Sequence, residues 1–116
     1  MPIIDRTGFM TLPPDAFMNH FASDLPAAES RVLAATQVPI RVDMLNSKVT
    51  NVAWKTKPSW YIVTTLDGAL APDEQRFFAR RMKATTSELS ASHLPMLSKP
   101  SEVVAVIKAA AAKSPH

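Results

Sequence analysis

The sequence predicts an α/β fold in which a helical cap segment, residues 1–53, precedes a C-terminal parallel βαβα unit, residues 54–116. The stretch PSWYIVTT, 58–65, has a continuous apolar centre, which is typical of a strand buried on both faces. A shorter alternating strand, TTSELS, lies at 85–90, after a helix pattern at 71–83. About 20 residues separate the two strands, which excludes a hairpin and fits a right-handed parallel crossover.

The N-terminal segment, 1–53, contains short apolar stretches that alternate with Pro, Asn, Asp and Ser. A short helix is predicted at 15–22, where Pro and Asp suit its start and apolar residues recur on one face. A second helix is predicted at 26–36, with a proline in its first turn. We expect residues 38–54 to be irregular or weakly extended. Such a segment is typical of a lid or cap over another unit.

The helices of the C-terminal unit carry clear end signals. Over 71–83, Pro72 fits the first helical turn and Asp73 favours the positive end of the helix dipole. The strongest helix pattern is 98–113, where Ser98 is expected to cap the start. Its apolar residues form one stripe, which consists of Val103, Val106, Ile107, Ala110 and Ala111.

Composition excludes several classes of protein. A chain of 116 residues holds at most one domain, and 47% hydrophobic residues is too many for a disordered chain. Cysteine is absent, which excludes disulfides and thiolate chemistry and fits a reducing compartment. No apolar run reaches the roughly 18 residues of a membrane span, so we expect no membrane partner and a cytoplasmic location. The formal charge is +3, but the basic residues are scattered, so we expect no nucleic-acid partner.

Two polar residues follow the two predicted strands. Asp67 lies in the loop 66–71 and His93 in the loop 91–97, and the carboxyl ends of neighbouring parallel strands share one edge of a sheet. A carboxylate beside an imidazole fixes the tautomer of the ring and stabilises its protonated form, so the pair is a catalytic candidate. The alternative is a simple turn aspartate and a solvated loop histidine. The three histidines of the chain are too widely spread to predict a metal site.

The residues from Ala53 to Ala111 resemble the C-terminal part of an α/β-hydrolase. The closest subgroup is the bacterial one similar to plant hydroxynitrile lyases and methyl-ester esterases. The pieces that carry the resemblance are Pro58-Ser59-Trp60-Tyr61, the Asp67 loop, Pro72-Asp73 with Gln75-Arg76-Phe77, and Ser92-His93 followed by Ser98-Lys99-Pro100. HFASDLP, 20–26, resembles the cap of the same subgroup. The resemblance implies a partial α/β-hydrolase fold, with Asp67 as triad acid, His93 as triad base and no cofactor.

The nucleophile of the resembling family sits in a G-x-S-x-G turn, and this sequence has only two glycines, Gly8 and Gly68. We therefore expect a truncated, esterase-like hydrolase that is inactive alone, with its serine on other sequence. Lyase chemistry on the same scaffold stays open. The alternative is a non-catalytic fragment or interaction module.

Two further expectations concern partners. Phe9, Phe17, Leu94 and Met96 are apolar candidates to line a pocket for a small hydrophobic ester or related carbonyl compound, although core packing is the alternative for most of them. A full hydrolase would have another strand beside 58–65. Without that neighbour, the edge of the strand 58–65 is exposed, which predicts self-association.

Overall fold

The structure of the protein is a computed structural model that describes residues 1–113. The N-terminal half contains an antiparallel sheet of β1 (Ile3–Ile4), β2 (Phe9–Thr11) and β3 (Ile40–Arg41), in that spatial order. The sequence did not predict these strands, although the short β3 agrees with the expectation that 38–54 is irregular or weakly extended. That expectation is wrong at 42–45, which is helical. Each strand is only two or three residues long, which is too short for a clear alternating pattern. In addition, β2 pairs with β3 across about 30 residues of chain, so the pairing cannot be predicted from local sequence.

The predicted N-terminal helices are confirmed. Helix α1 (Pro14–Ala16) continues into a π-helical turn, Phe17–Phe21, whose last bond runs from the Ala22 N–H to the Phe17 carbonyl. Helix α2 (Ala27–Thr36) packs against this turn. A small buried cluster of Phe17, Ala22 and Ala34 lies between them. A short helix α3 (Val42–Leu45) and a 3₁₀ turn (Ala53–Lys55) lead to the second half of the chain.

The C-terminal half is the predicted βαβα unit. Strands β4 (Trp60–Thr64) and β5 (Thr85–Leu89) are parallel, with Trp60 opposite Thr85 and Thr64 opposite Leu89. The crossover helix α4 (Pro72–Arg81) packs on β4. Helices α5 (Pro95–Ser98) and α6 (Pro100–Lys113) follow β5. Mixed helices and strands around a parallel sheet confirm the predicted α/β class.

Two details of packing differ from the prediction. In β4 only Val63 and Thr64 are buried, because within residues 1–113 the strand has one strand neighbour and its first three residues stay half-buried. Ser98 ends α5 instead of capping the next helix, and its hydroxyl is buried without a hydrogen-bond partner among residues 1–113. No helix in this part of the chain combines the length and apolar character of a bilayer span. The boundary at residue 53 remains a prediction.

Candidate active site

Asp67 lies in the loop that follows β4 and is held by its own backbone. Its Oδ1 accepts the N–H groups of Ala69 at 2.8 Å and Leu70 at 2.9 Å, which closes a tight turn before α4. The residue is only 8% exposed. The side chain is therefore fixed at the carboxyl edge of the parallel pair rather than solvated.

His93 lies in the loop that follows β5, beside Asp67. The Nδ1 atom of His93 is 2.8 Å from the Oδ2 atom of Asp67, so the predicted juxtaposition is present. The two loops are also joined by a backbone bond from the Leu66 N–H to the Ala91 carbonyl at 3.1 Å. One-third of the His93 side chain remains exposed, which leaves the ring accessible from one side.

The protonation of the pair follows from its surroundings. Burial by itself would raise the pKa of Asp67, but the N–H groups of Leu70 and Ala69, with His93 and the Thr64 hydroxyl, lower that pKa below its usual value. The carboxyl group is therefore ionised at neutral pH and accepts a hydrogen bond from Nδ1–H of His93. The neutral ring then carries its lone pair on Nε2, which is the atom that can take up a proton.

Gln75, on the first turns of α4, completes the shell around Asp67. Its Nε2 donates to Oδ2 of Asp67 at 3.0 Å and to the Leu70 carbonyl at 2.9 Å, while its Oε1 accepts the Thr64 N–H at 2.9 Å. The Thr64 hydroxyl donates to the same Asp67 oxygen at 2.9 Å. No role for Gln75 is predicted from the sequence. The available signal was a polar residue four positions before Ala79, on the buried face of the helix.

A groove of about 280 Å³ opens in front of the pair. It is lined by Trp60, Tyr61, Ile62, Thr64, Asp67, Leu70, Gln75, His93, Pro95 and Met96. A larger groove of about 470 Å³, near Trp54 and Phe78, contains neither Asp67 nor His93. The smaller groove is the candidate site because it holds the titratable pair.

The four predicted pocket residues are not gathered in one place. Met96 lines the groove beside His93. Phe17 is buried in the N-terminal cluster and lines a separate cavity of about 330 Å³, and Leu94 packs against the same cluster. Phe9 lies in β2 with the Arg41 guanidinium 5.6 Å from its ring centre. A role of these residues in binding substrate remains a prediction.

The serines near the pair make other bonds. Ser92 is fully buried, and its hydroxyl donates to the Phe21 carbonyl at 3.0 Å. The Ser59 hydroxyl donates to the Lys57 carbonyl at 3.3 Å. Within residues 1–113 no serine hydroxyl is hydrogen-bonded to Nε2 of His93, and no three potential metal ligands cluster.

A family model described as "Alpha/beta hydrolase family" matches residues 2–106. The matched range includes the N-terminal segment as well as the βαβα unit, and it contains both Asp67 and His93. None of the curated proteins compared with the chain matches it.

Proposed function

We propose that this chain, which belongs to the alpha/beta hydrolase family, supplies the acid and the base of a serine-type ester hydrolase site. The observation that carries the proposal is the 2.8 Å contact between Asp67 Oδ2 and His93 Nδ1, beside a groove onto which the ring opens. The residues Pro58-Ser59-Trp60-Tyr61 and Ser92-His93 further favour the bacterial subgroup similar to plant hydroxynitrile lyases and methyl-ester esterases.

The proposed roles follow from the charges of the pair. As a serine hydroxyl attacks the ester carbonyl carbon, Nε2 of His93 takes its proton, and ionised Asp67 stabilises the imidazolium that forms. The imidazolium then gives the proton to the leaving alkoxide, so the C–O bond breaks without release of a free alkoxide. Water repeats the sequence on the acyl-enzyme and releases the acid. Asp67 stays ionised throughout.

The nucleophile in this proposal comes from outside the site that residues 1–113 build. The chain has no G-x-S-x-G stretch, and its serines near the pair are engaged elsewhere. We therefore propose that the chain alone is inactive as an esterase and acts only with a segment that brings the serine and the oxyanion donors.

The lining of the groove favours a small hydrophobic ester. Apart from Asp67, His93, Gln75 and Thr64 it is formed by apolar and aromatic side chains, which include Leu70 and Met96. These residues would hold a compact apolar acyl or alcohol group. A lyase would use the same base to take the proton from the hydroxyl group of a cyanohydrin-type substrate.

The test is a nitrophenyl-ester assay of the isolated chain. Loss of one oxyanion donor typically lowers the rate by about 10²–10³, and loss of a triad nucleophile by about 10⁶, so we expect only a weak background. Imidazole chemistry gives a small signal that does not saturate with substrate and falls in His93→Ala. Saturable turnover that disappears in both His93→Ala and Asp67→Asn would contradict inactivity and would assign the nucleophile to a serine of this chain.

A second candidate function is a non-catalytic interaction module. It is favoured by the edge of β4 that no strand within residues 1–113 covers, and by large apolar side chains that stay exposed, such as Phe77 and Leu97. The DNA immediately upstream of the Met1 codon separates the two functions. A G-x-S-x-G coding segment there supports the hydrolase, and its absence together with a tight protein partner supports the module.

A further inference from the structure

We propose that residues 20–24, here called the bridging segment, position the Asp67–His93 pair by fastening the two loops that carry it. The inference rests on the proposed function, since positioning matters only where the pair acts on a substrate. The bridging segment spans the end of the π-helical turn and the bend after it, and it contacts the loops after both β4 and β5.

The first fastening joins the bridging segment to the loop after β4. The Gly68 N–H donates to the His20 carbonyl at 3.1 Å. A Cβ atom at position 68 would lie 2.9 Å from the His20 Cα atom, closer than Cβ atoms approach backbone in proteins. Glycine at this position is therefore required by the close approach, and it follows Asp67 directly. Any side chain here must move the Asp67 loop away from the bridging segment.

The second fastening joins the bridging segment to the loop after β5. The Ser92 N–H donates to Oδ2 of Asp24 at 2.9 Å, and the Ser92 hydroxyl donates to the Phe21 carbonyl at 3.0 Å. Ser92 is fully buried, so neither bond competes with water. Because Ser92 precedes His93, both bonds restrict the backbone from which the imidazole extends.

The third contact acts on the imidazole itself. The Phe21 ring lies 4.1 Å from the His93 ring, centre to centre, at an interplanar angle of 42°. Phe21 thus bounds the ring on one side while Asp67 holds its Nδ1 atom. Together these contacts restrict rotation of the ring and keep Nε2 directed away from the carboxylate.

The carboxylate of Asp24 does not contribute to stability through both of its oxygens. Its second oxygen, Oδ1, is buried and has no hydrogen-bond partner among residues 1–113. An unsatisfied buried polar atom destabilises the fold. Asparagine in its place would keep one oxygen for the Ser92 N–H. Asp24→Asn is therefore a conservative variant that keeps the bond to Ser92, whereas Asp24→Ala removes it.

The experiment reads the pair directly, without substrate. In the ¹⁵N-labelled chain, proton NMR follows the His93 Nδ1–H, which is assigned by its loss in His93→Gln. In Ser92→Ala, Asp24→Ala and Gly68→Ala we expect exchange of this proton with water to accelerate about tenfold, as loss of roughly one hydrogen bond predicts. In Asp24→Asn, by contrast, this proton should exchange at the wild-type rate. Ser90→Ala, the same change at an exposed position of the same loop, is the matched control.

Each outcome decides the inference. Wild-type exchange in Ser92→Ala and Gly68→Ala, with the far-ultraviolet circular dichroism spectrum intact, overturns it. If Ser92→Ala does not fold, the pair Asp24→Ala and Asp24→Asn decides, and equal exchange in these two overturns it as well. A positioned pair with no esterase activity in any assembly removes the proposed function and leaves the inference standing. Absence of a protected Nδ1–H in the wild type removes both.

Discussion

Asp67 accepts hydrogen bonds from five donors, which belong to its own loop, to β4, to α4 and to the loop after β5. The donors are the N–H groups of Ala69 and Leu70, the Thr64 hydroxyl, the Gln75 amide and Nδ1 of His93. This number suits an ionised carboxylate, because a protonated one would lose acceptor capacity. The charge of Asp67 is thus stabilised before any substrate binds.

The lowered pKa of Asp67 predicts a pH dependence of stability. A carboxyl group with a depressed folded-state pKa stabilises the fold fully above its unfolded pKa of about 3.9, and this stabilisation is lost as pH falls through the lower folded value. We expect Asp67→Asn to lower the free energy of unfolding by about 1–3 kcal/mol at pH 7 and by less near pH 3. Urea titrations at several pH values measure this difference.

The control for this prediction is Asp15→Asn. Asp15 is exposed on α1 and makes no hydrogen bond through its side chain within residues 1–113. Its variant should follow the wild-type pH profile. A constant difference between Asp67→Asn and wild type from pH 7 to pH 3 would show that the charge of Asp67 does not stabilise the fold.

Gln75 predicts a separate effect at the same site. Replacement by leucine keeps the volume, but it leaves the Thr64 N–H without an acceptor and removes one hydrogen bond to Asp67. We therefore expect a loss of about 1–3 kcal/mol in the free energy of unfolding. Gln37→Leu is the matched control, since the Gln37 amide makes equivalent bonds to the Leu12 backbone. Both variants should lose stability, but only Gln75→Leu should alter the His93 Nδ1–H signal.

The elements of the C-terminal unit were predictable because their signals are local. The apolar run before Asp67 places β4 within two residues of its observed start, and Pro72 marks the observed first residue of α4. Parallel topology then predicts that Asp67 and His93 meet. The bonds of Asp24 and Phe21 to Ser92 cross about 70 residues of sequence, and no periodicity reports them. The sequence therefore predicts the pair and misses what holds it.

The residue Lys83, just after the C-terminus of α4, has a strained backbone conformation that a substitution can relieve. Lys83 has φ 52°, in the left-handed region that favours glycine. The Ala84 N–H reaches the Ala79 carbonyl and the Lys83 N–H reaches the Arg80 carbonyl, which is a Schellman motif with lysine at its glycine position. We expect Lys83→Gly to raise the free energy of unfolding by about 0.5–1 kcal/mol. Lys83→Ala removes the same charge without relieving φ, and an equal gain in that variant would assign the effect to charge instead.

The molecule as a whole is open for its size. Its accessible surface is 8295 Å², whereas a compact monomer of 12.7 kDa exposes about 6,200 Å². Its radius of gyration is 15.9 Å, against about 13 Å expected for a compact chain of this length. The excess surface of the one chain is about 2,000 Å², which exceeds the roughly 800 Å² that each partner buries in a standard protein interface.

The edge of β4 opposite β5 is the part of the surface that can pair with another strand. The bonds from the Thr65 N–H to Leu89 and from the Thr85 N–H to Ser59 show that alternate residues of β4 face β5. The backbone groups of Trp60, Ile62 and Thr64 therefore point to the opposite edge. Gln75 occupies those of Thr64, so within residues 1–113 the backbone groups of Trp60 and Ile62 remain available for pairing.

We propose that this edge pairs with the same edge of a second copy, because identical strands related by a twofold axis form a self-complementary antiparallel ladder. Light scattering should then show a mass that rises with concentration. Ile62→Pro removes an N–H from the open edge and should shift the protein toward monomer while it stays folded. Val63→Pro, one residue further, removes an N–H from the β4–β5 ladder and should unfold the buried strand instead. A monodisperse wild-type monomer at high concentration would exclude pairing of copies through β4.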